Sequence, residues 1–365
     1  MYYRNEPERP AAVRFIRRLG LLALLLAVLA AGVFFGLALQ GEYRPEPMEA
    51  LDIKGEPGQG AAQLNTAYKV ITYNLGFCAL DAERDFFMEG GKSAGADSRE
   101  AVERNLSSVL QVLRGRYDFI LLQEVDVASR RSFEVDARAA LEESFGGTYT
   151  GAFAVDEQAF FVPLPPGSPM GKTRAGVQIF SNVLMESAYR HRLAGTENPL
   201  VRPFMPGSCF VAVTVPVEGG RNLRLINVHL SSYESDSVLR TRQMEELRAY
   251  LDAIDPADYV IVGGDWSQAL PNARANPNGW TDETPSWAAK VSSDFAPEGY
   301  VWGVDAGSPT RRAASGPYRE GKSHVTVTDG FLVSSNVEIL SVNTQRLNFR
   351  NSHHNPVVLQ FSLKE

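Results

Sequence analysis

Six short apolar segments of the chain lead into polar residues of the kinds that carry out acid–base and metal chemistry. Asn74 ends VITYN, Glu124 ends LLQE, His229 ends LINVH, Asp265 follows VIVGG and Asp329 follows VTVT. The sixth segment, NSHHNP, lies just before the last apolar run. A carboxylate at the end of a buried strand is unfavourable unless it is paired or binds a metal. One such residue is usually a strand cap or turn former, but six at one sheet edge favour a functional site.

The elements that would position these residues are short strands with few helices between them. Runs rich in Val, Ile and Phe, bounded by turn residues, predict strands. The predicted strands are Tyr68–Asn74, Phe119–Gln123, Val177–Phe180, Phe210–Val215, Leu223–Leu230, Tyr259–Gly263, Gly330–Val333 and Pro356–Leu363. Two helices are predicted, one between an Asp97 and Glu100 capping pair and Gly115, and one over about 236–254. This pattern predicts a layered α/β domain with mixed sheets.

Length and composition are those of a folded protein with a substantial core. The 365 residues suffice for one large domain or two medium ones, and 44% hydrophobic with 22% charged residues excludes disordered, collagen-like and disulfide-scaffold classes. The 36 basic and 43 acidic residues give a net charge of −7, although residues 1–18 hold five Arg and two Glu. The remainder lacks the clustered basic residues of sequence-blind nucleic-acid binding, which weakens nucleic acid as a substrate without excluding it.

The segment Leu19–Leu39 contains no charged residue and is long enough to cross a bilayer core of about 30 Å as a helix. The Arg residues before it predict a cytoplasmic N-terminus and an extracytoplasmic domain. The alternative is a cleaved signal peptide, whose apolar region is usually about 7–15 residues long. The predicted organisation is a cytoplasmic basic segment (1–18), a transmembrane helix (19–39), a polar linker rich in Pro and Gly (40–65) and a catalytic domain (66–365).

Cys78 and Cys209 are the chain's two cysteines. In an exported domain they could form one disulfide, or they could be two separate buried thiols. The sequence leaves both alternatives open.

The order of the polar motifs resembles that of the endonuclease/exonuclease/phosphatase superfamily, whose members include deoxyribonuclease I-like nucleases, sphingomyelinases and inositol-phosphate phosphatases. The resemblance spans about residues 66–365, and the segments DFFMEGGK and QEVDVASRRS look like those of a membrane-anchored bacterial branch. It implies a four-layer α/β sandwich in which two packed mixed β-sheets are flanked by helices. It also implies hydrolysis of phosphate esters, above all phosphodiesters, by Mg²⁺-activated water.

The resemblance implies a role for each motif residue. Glu124 would be the main ligand of Mg²⁺, with Mn²⁺ as an alternative ion, and Asn74 would assist it. Asp265 would orient or deprotonate the attacking water, or hold the leaving-group side. The remaining residues would act at the phosphate.

Two imidazoles would act at the phosphate group. His354, oriented by Asp329, would stabilise developing charge or transfer a proton. His229 would contact a phosphate oxygen or the leaving group. Arg311 and Arg312 could clamp a phosphate, or they could be a solvated basic loop.

Two positions depart from the superfamily pattern. Ser267 follows Gly264-Asp265-Trp266 where an Asn is usual, so a shorter hydroxyl would replace an amide donor to the phosphate. His353 stands where an Asp is usual, and a protonated His353 would repel Mg²⁺. The alternative function is therefore a catalytically impaired module that binds a phosphate ligand on the same fold.

The expected substrate is a phosphate ester in a lipid head group, a small molecule or nucleic acid. The N-terminal helix would bring the domain to a membrane, and no protein partner is predicted. Nothing in the sequence selects among these substrates.

Overall fold

A computed structural model describes residues 11–56, 60–205, 207–231, 238–274 and 289–365. The first ten residues of the predicted cytoplasmic segment, positions 57–59 of the predicted linker and positions 236–237 of the second predicted helix lie outside them. The α-helices in the described ranges are α1 (Ala11–Gln40), α2 (Arg99–Leu113), α3 (Ala137–Phe145) and α4 (Val238–Asp252).

The strands of the described residues form two large mixed sheets and a two-stranded ribbon. They are β1 (Met48–Ala50), β2 (Lys54–Gly55), β3 (Tyr68–Asn74), β4 (Phe119–Asp126), β5 (Thr150–Val162), β6 (Gly171–Ser181), β7 (Ser187–Arg192), β8 (Cys209–Pro216), β9 (Asn222–His229), β10 (Tyr259–Asp265), β11 (Val301–Gly303), β12 (Arg311–Arg312), β13 (Val325–Thr326), β14 (Asp329–Val333), β15 (Val337–Thr344) and β16 (Val357–Leu363). Sheet I has the order β1-β7-β8-β9-β10-β14-β11, and sheet II the order β15-β16-β3-β4-β6-β5-β2.

The alternation of side chains along β4 explains how the layers pack. Phe119 and Leu121 face the core between the sheets, whereas Ile120 and Leu122 pack against α2 and α3. Sheet I is covered on its outer face in the same way, since Ile226 of β9 packs against α4. The order helix, sheet, sheet, helix is the predicted four-layer α/β sandwich, which is confirmed.

Six of the eight predicted strands lie within a strand of the structure, and the other two extend one residue beyond one, at Leu230 after β9 and at Pro356 before β16. Both predicted helices occur. The N-cap of the first helix is Ser98, one residue after the predicted Asp97, and its Oγ accepts a hydrogen bond from the Ala101 backbone N–H at 3.2 Å. Asp97 instead forms an ion pair with Arg84. The sequence analysis missed α3 and β5, since Asp156 and Glu157 interrupt the apolar pattern of β5.

The predicted linker is not a free tether. In β1, Met48 pairs with His191 of sheet I, and in β2, Lys54 pairs with Gly151 of sheet II. Edge strands pair on one side only, so a short polar segment that contains Pro and Gly can still join a sheet there. The linker prediction is therefore wrong for residues 48–55.

Residues Ala12–Gln40 form a helix long and apolar enough to cross a membrane, a property that signal sequences share. Cys78 and Cys209 are free thiols, both fully buried, so the disulfide alternative is wrong. Burial raises the pKa of each thiol to about 12, which keeps both protonated and unreactive at neutral pH.

Candidate active site

The predicted site residues meet at one edge of both sheets. In sheet I, Asp265 at the end of β10 lies in register between His229 of β9 and Asp329 of β14. In sheet II, Asn74 ends β3 beside Gln123 of the parallel β4. The remaining predicted residues lie close to these strand ends and are buried: Glu124, Ser267, His353 and His354. The sheet edge therefore brings the whole predicted set together.

His354 and Asp329 form a buried imidazole–carboxylate pair. His354 Nδ1 lies 2.9 Å from Asp329 Oδ2, and its Nε2 lies 3.6 Å from Asp265 Oδ2. Burial opposes the charged ring, but the Asp329 and Asp265 carboxylates prevail and raise the pKa of His354. Nε2 has no hydrogen-bond partner in the described part of the chain. An imidazolium here can therefore donate Nε2–H to a ligand.

The Asp265 carboxyl group remains ionised although it is buried. Burial disfavours its charge, but His354, Arg311 and His229 outweigh that effect and lower the pKa of Asp265. Its Oδ2 accepts from Asn74 Nδ2 at 3.1 Å, and its Oδ1 accepts from the Ser267 backbone N–H at 2.8 Å. The group is fixed in orientation and can accept a proton or orient a water molecule.

A second imidazole–carboxylate pair includes a residue that the sequence analysis missed. His229 Nδ1 lies 2.7 Å from Asp156 Oδ2, and its Nε2 lies 3.6 Å from Glu124 Oε1. Burial again opposes the charge, yet Asp156 and Glu124 raise the pKa of His229 well above its ordinary value. The one available signal was the placement of two acidic residues, Asp156 and Glu157, inside an otherwise apolar run.

Glu124 adopts a backbone conformation that few non-glycine residues adopt. Its φ is +52°, and the pairing of β4 with β6 shifts register between Leu122 and Val125. Such strain concentrates at functional sites, where it can redirect a side chain. Glu124 Oε2 is buried and lacks a hydrogen-bond partner among the residues described. An unpaired carboxylate oxygen is the ligand that a hard divalent cation prefers.

Asn74 links the two sides of the site. Its Oδ1 accepts from the Gly76 backbone N–H at 3.0 Å while its Nδ2 donates to Asp265. A carbonyl-type oxygen has a second lone pair, so Oδ1 retains capacity for a cation.

Asp265, Asp329 and His354 could also hold a cation, since their ligand atoms lie within 4.8 Å of one another. A metal needs an unprotonated imidazole nitrogen, however, and the neighbouring carboxylates favour the protonated ring. This cluster is better suited to proton transfer, and Glu124 is better suited to a metal.

Both departures from the superfamily pattern are buried. Ser267 Oγ donates to the Leu230 carbonyl at 2.7 Å, so its hydroxyl holds the end of β9. Burial, followed by the charges of His354 and Arg311, keeps the pKa of His353 well below its ordinary value. The neutral form of the ring is therefore favoured, and the condition on which His353 would repel Mg²⁺, a protonated ring, is disfavoured. Its Nδ1 would lie 2.9 Å from a Cβ at Gly76, a position with φ +55° that favours glycine.

The two arginines are buried, so the solvated-loop alternative is wrong. Arg311 Nη2 donates to Glu89 Oε1 at 2.6 Å, and its charge contributes to the lowered pKa of Asp265. Arg312 Nη2 donates to the carbonyls of Asp81 and Arg84 at 2.6 and 2.7 Å. Arg312 therefore holds a loop, Arg311 acts on Asp265 through its charge, and both arginines contribute to the lowered pKa of His353.

The fold matches solved structures at low sequence identity. The endonuclease/exonuclease/phosphatase from Beutenbergia cavernae DSM 12333 has a TM-score of 0.54 and 16% identity, with 82% of this chain and 72% of that chain covered. TDP2 from D. rerio, complexed with a single-strand DNA product, has a TM-score of 0.50 and 13% identity, with 82% and 100% covered. TDP2 from C. elegans has a TM-score of 0.50 and 13% identity, with 82% and 76% covered. These likenesses concern the fold alone.

A search of curated proteins finds no match to this sequence. The model of the Endonuclease/Exonuclease/phosphatase family, in contrast, matches residues 71–344. That range runs from within β3 to the end of β15 and includes every site residue except the last two histidines. The chain belongs to the endonuclease/exonuclease/phosphatase family.

Proposed function

We propose that the chain is a metal-dependent hydrolase of phosphate esters, most of all phosphodiesters. The observation that carries the proposal is the arrangement of two imidazole–carboxylate pairs around an ionised Asp265 and an unpaired carboxylate oxygen of Glu124. Membership of the endonuclease/exonuclease/phosphatase family supports it.

Glu124 and Asn74 would hold the metal, for which Mg²⁺ is the first candidate and Mn²⁺ the second. Both residues offer oxygen ligands, and Glu124 Oε2 has no competing hydrogen bond in the described chain. When bound, such an ion polarises a phosphoryl oxygen and lowers the pKa of water.

Each buried side chain has one task in this reaction. Asp265 takes a proton from the attacking water as its oxygen bonds to phosphorus. His354 donates Nε2–H to a phosphoryl oxygen as negative charge develops, and Asp329 keeps its ring oriented and charged.

The leaving group departs on the other side of the phosphorus. As the bond from phosphorus to the leaving oxygen breaks, His229 gives that oxygen the proton from Nε2. Asp156 holds Nδ1 and stabilises the imidazolium before this transfer. The products are a phosphomonoester and an alcohol.

The alternative function, a phosphate-binding module without turnover, was motivated by Ser267 and His353. A neutral His353 and a hydroxyl engaged with Leu230 leave the acid–base groups intact, which favours an active enzyme.

We also propose that α1 anchors the domain outside the cytoplasmic membrane, with its N-terminus in the cytoplasm. The support is the apolar run 19–39 preceded by Arg residues. Alkaline phosphatase fused to the C-terminus should be active. An inactive phosphatase fusion together with a fluorescent fluorescent-protein fusion would show the opposite topology.

The test of catalysis uses the full chain and bis(p-nitrophenyl) phosphate with Mg²⁺. Glu124→Gln keeps the size of the side chain and removes its charge, so the rate should fall by about 10²-fold or more. The matched control is Glu186→Gln, an exposed carboxylate in the loop before β7. Equal rates for Glu124→Gln and the wild type would remove the proposal. Binding of phosphate without hydrolysis by the wild type would favour the alternative module.

A further inference from the structure

The C-terminal end of α1 packs through aromatic rings against the end of β5 and the loop between β7 and β8. The Phe34 ring centroid lies 6.4 Å from Phe160, 6.3 Å from Phe161 and 5.8 Å from Phe204. Phe34 and Phe204 are stacked, with 5° between their planes. The helix therefore rests on the domain itself.

Polar contacts fix the chain just after α1. Glu42 accepts hydrogen bonds from Arg202 and Arg44, and Arg192 Nη1 donates to the Pro45 carbonyl at 3.1 Å. The chain then enters sheet I as β1. Contacts on both sides of Gly41 therefore hold the C-terminal end of α1 against the domain.

This docking point lies at the same sheet edge as the candidate site. Within sheet I, His229 pairs with Cys209, Cys209 pairs with Arg192, and the Arg192 backbone N–H donates to the Pro47 carbonyl at 2.9 Å. Strands lie about 4.8 Å apart, so Pro47 lies about 14 Å across the sheet from His229.

Sheet II reaches the helix at the same edge. The Asp156 side chain of β5 contacts the His229 ring. From Asp156, β5 continues for four more residues to Phe160, or about 13 Å along the strand. The loop after β5 and the loop between β7 and β8 both project from this edge. The site and α1 therefore share one end of the molecule.

Large apolar side chains are exposed at the end of β5 and on the two loops that follow β5 and β7. They are Phe160 (50% exposed), Leu164 (49%), Leu200 (62%) and Val201 (40%), and we call them the apolar rim. Phe34 lies five residues before the end of the apolar run, or about 8 Å along the helix. If that run spans the bilayer, the rings that touch Phe34 lie at the boundary between acyl chains and head groups, where apolar side chains are stable.

We propose that the apolar rim inserts into the leaflet next to the domain, and that the site therefore hydrolyses the phosphate ester of a membrane lipid head group. The substrate part of this inference rests on the proposed function. Each head-group layer is about 5–8 Å thick, so lipid phosphates lie close to a site about 13 Å from Phe160. The chain after residue 18 has a net negative charge, which disfavours a long polyanion, such as nucleic acid, as the substrate.

The first experiment compares two phosphodiesters with the same leaving group. The full chain is reconstituted in dioleoyl phosphatidylcholine vesicles that contain dioleoylglycerol p-nitrophenyl phosphate, or with methyl p-nitrophenyl phosphate in solution. The rim variant Leu164→Ser/Leu200→Ser should lose about tenfold or more in rate on the lipid ester. Its rate on the soluble ester should stay within about twofold of the wild type.

The matched control variant is Val301→Ser/Leu340→Ser. Val301 and Leu340 are 55% and 45% exposed and lie on β11 and β15, the edge strands opposite α1. Both rates should stay near those of the wild type. Equal losses on both esters in the rim variant, or equal losses in rim and control variants, would overturn the substrate assignment in favour of a soluble ester.

The second experiment measures rim insertion without activity. An environment-sensitive fluorophore is attached to Leu164→Cys or Leu340→Cys, because the native thiols are fully buried. In vesicles, the emission at position 164 should shift to the blue while that at 340 remains water-like. Water-like emission at 164 would overturn insertion. If the wild type hydrolyses neither ester, the proposed function and the lipid substrate both fail, and the fluorophore still decides insertion.

Discussion

The acid–base chemistry of the site is set at the scale of single residues by carboxylates placed beside imidazoles. His354 and His229 are both buried, and burial alone would leave each ring neutral. Asp329 and Asp265 outweigh the effect of burial on His354 and raise its pKa. Asp156 and Glu124 do the same for His229. The carboxylates therefore favour the imidazolium form of both rings before a substrate arrives.

This arrangement predicts an alkaline limb in the pH–rate profile. In the proposed mechanism His354 acts when protonated, so activity should be lost as pH rises through its raised pKa. Asp329→Asn removes the nearest carboxylate and should move the limb to lower pH by about one unit or more.

The control for this prediction is Asp252→Asn, which removes an exposed carboxylate paired with Arg248 on α4. Its limb should coincide with that of the wild type. A limb in Asp329→Asn that stays in place or moves to higher pH would show that His354 does not act as an acid.

At the scale of elements, a buried ion-pair network joins β4 to β5 and so aligns the two halves of the site. Arg131 donates to Asp126 Oδ1 at 2.8 Å and to Glu157 Oε1 at 2.7 Å. Its guanidinium carbon lies 3.4 Å from the Phe77 ring centroid. Asp126 lies two residues after Glu124, and Glu157 directly follows Asp156.

Removing Arg131 should destabilise the fold strongly. Arg131→Met leaves two buried carboxylates without their cation, a change that costs about 3–5 kcal/mol. Arg131→Met/Asp126→Asn/Glu157→Gln, in which no unpaired charge remains, should lose less than the single variant. Urea unfolding measures both, and a single variant as stable as the wild type would refute the network's role.

The sequence could predict those residues of the site that lie at the ends of strands. Asn74, Glu124 and Asp265 each follow a clear apolar run, so their place at a sheet edge followed from strand geometry. Asp156 could not be found in this way, because it lies inside β5 and is 73 positions from His229. Such a contact depends on which strands meet, which local pattern does not encode.

The predictions for the linker and for the charge of His353 differ from the structure for related reasons. Residues 48–55 look polar and flexible, and only the tertiary fold supplies the sheet edges that they complete. The charge of His353 depends on burial and on the nearby His354 and Arg311, which a sequence pattern does not reveal. Amino-acid composition predicts neither the strand pairing of residues 48–55 nor the lowered pKa of His353.

At the scale of the whole molecule, the fold places the α1 docking point and the candidate site at one end. The packing of Phe34 on Phe204 and the entry of β1 into sheet I make α1 part of the domain's architecture. Cleavage after residue 39 would remove the Phe34 contacts, so this packing favours a retained anchor over a cleaved signal peptide.

Hydrolysis should depend on a divalent cation held at Glu124, so removal of the metal tests the proposed function. The full chain is stripped with a chelator, and its rate on bis(p-nitrophenyl) phosphate is measured as Mg²⁺ is added back. We predict a stripped rate about 10²-fold or more below the maximum, because the water and the developing charge lose their cation. The rate should rise and saturate in the wild type and in Glu186→Gln, but not in Glu124→Gln. A stripped wild type that keeps its full rate would contradict the claim.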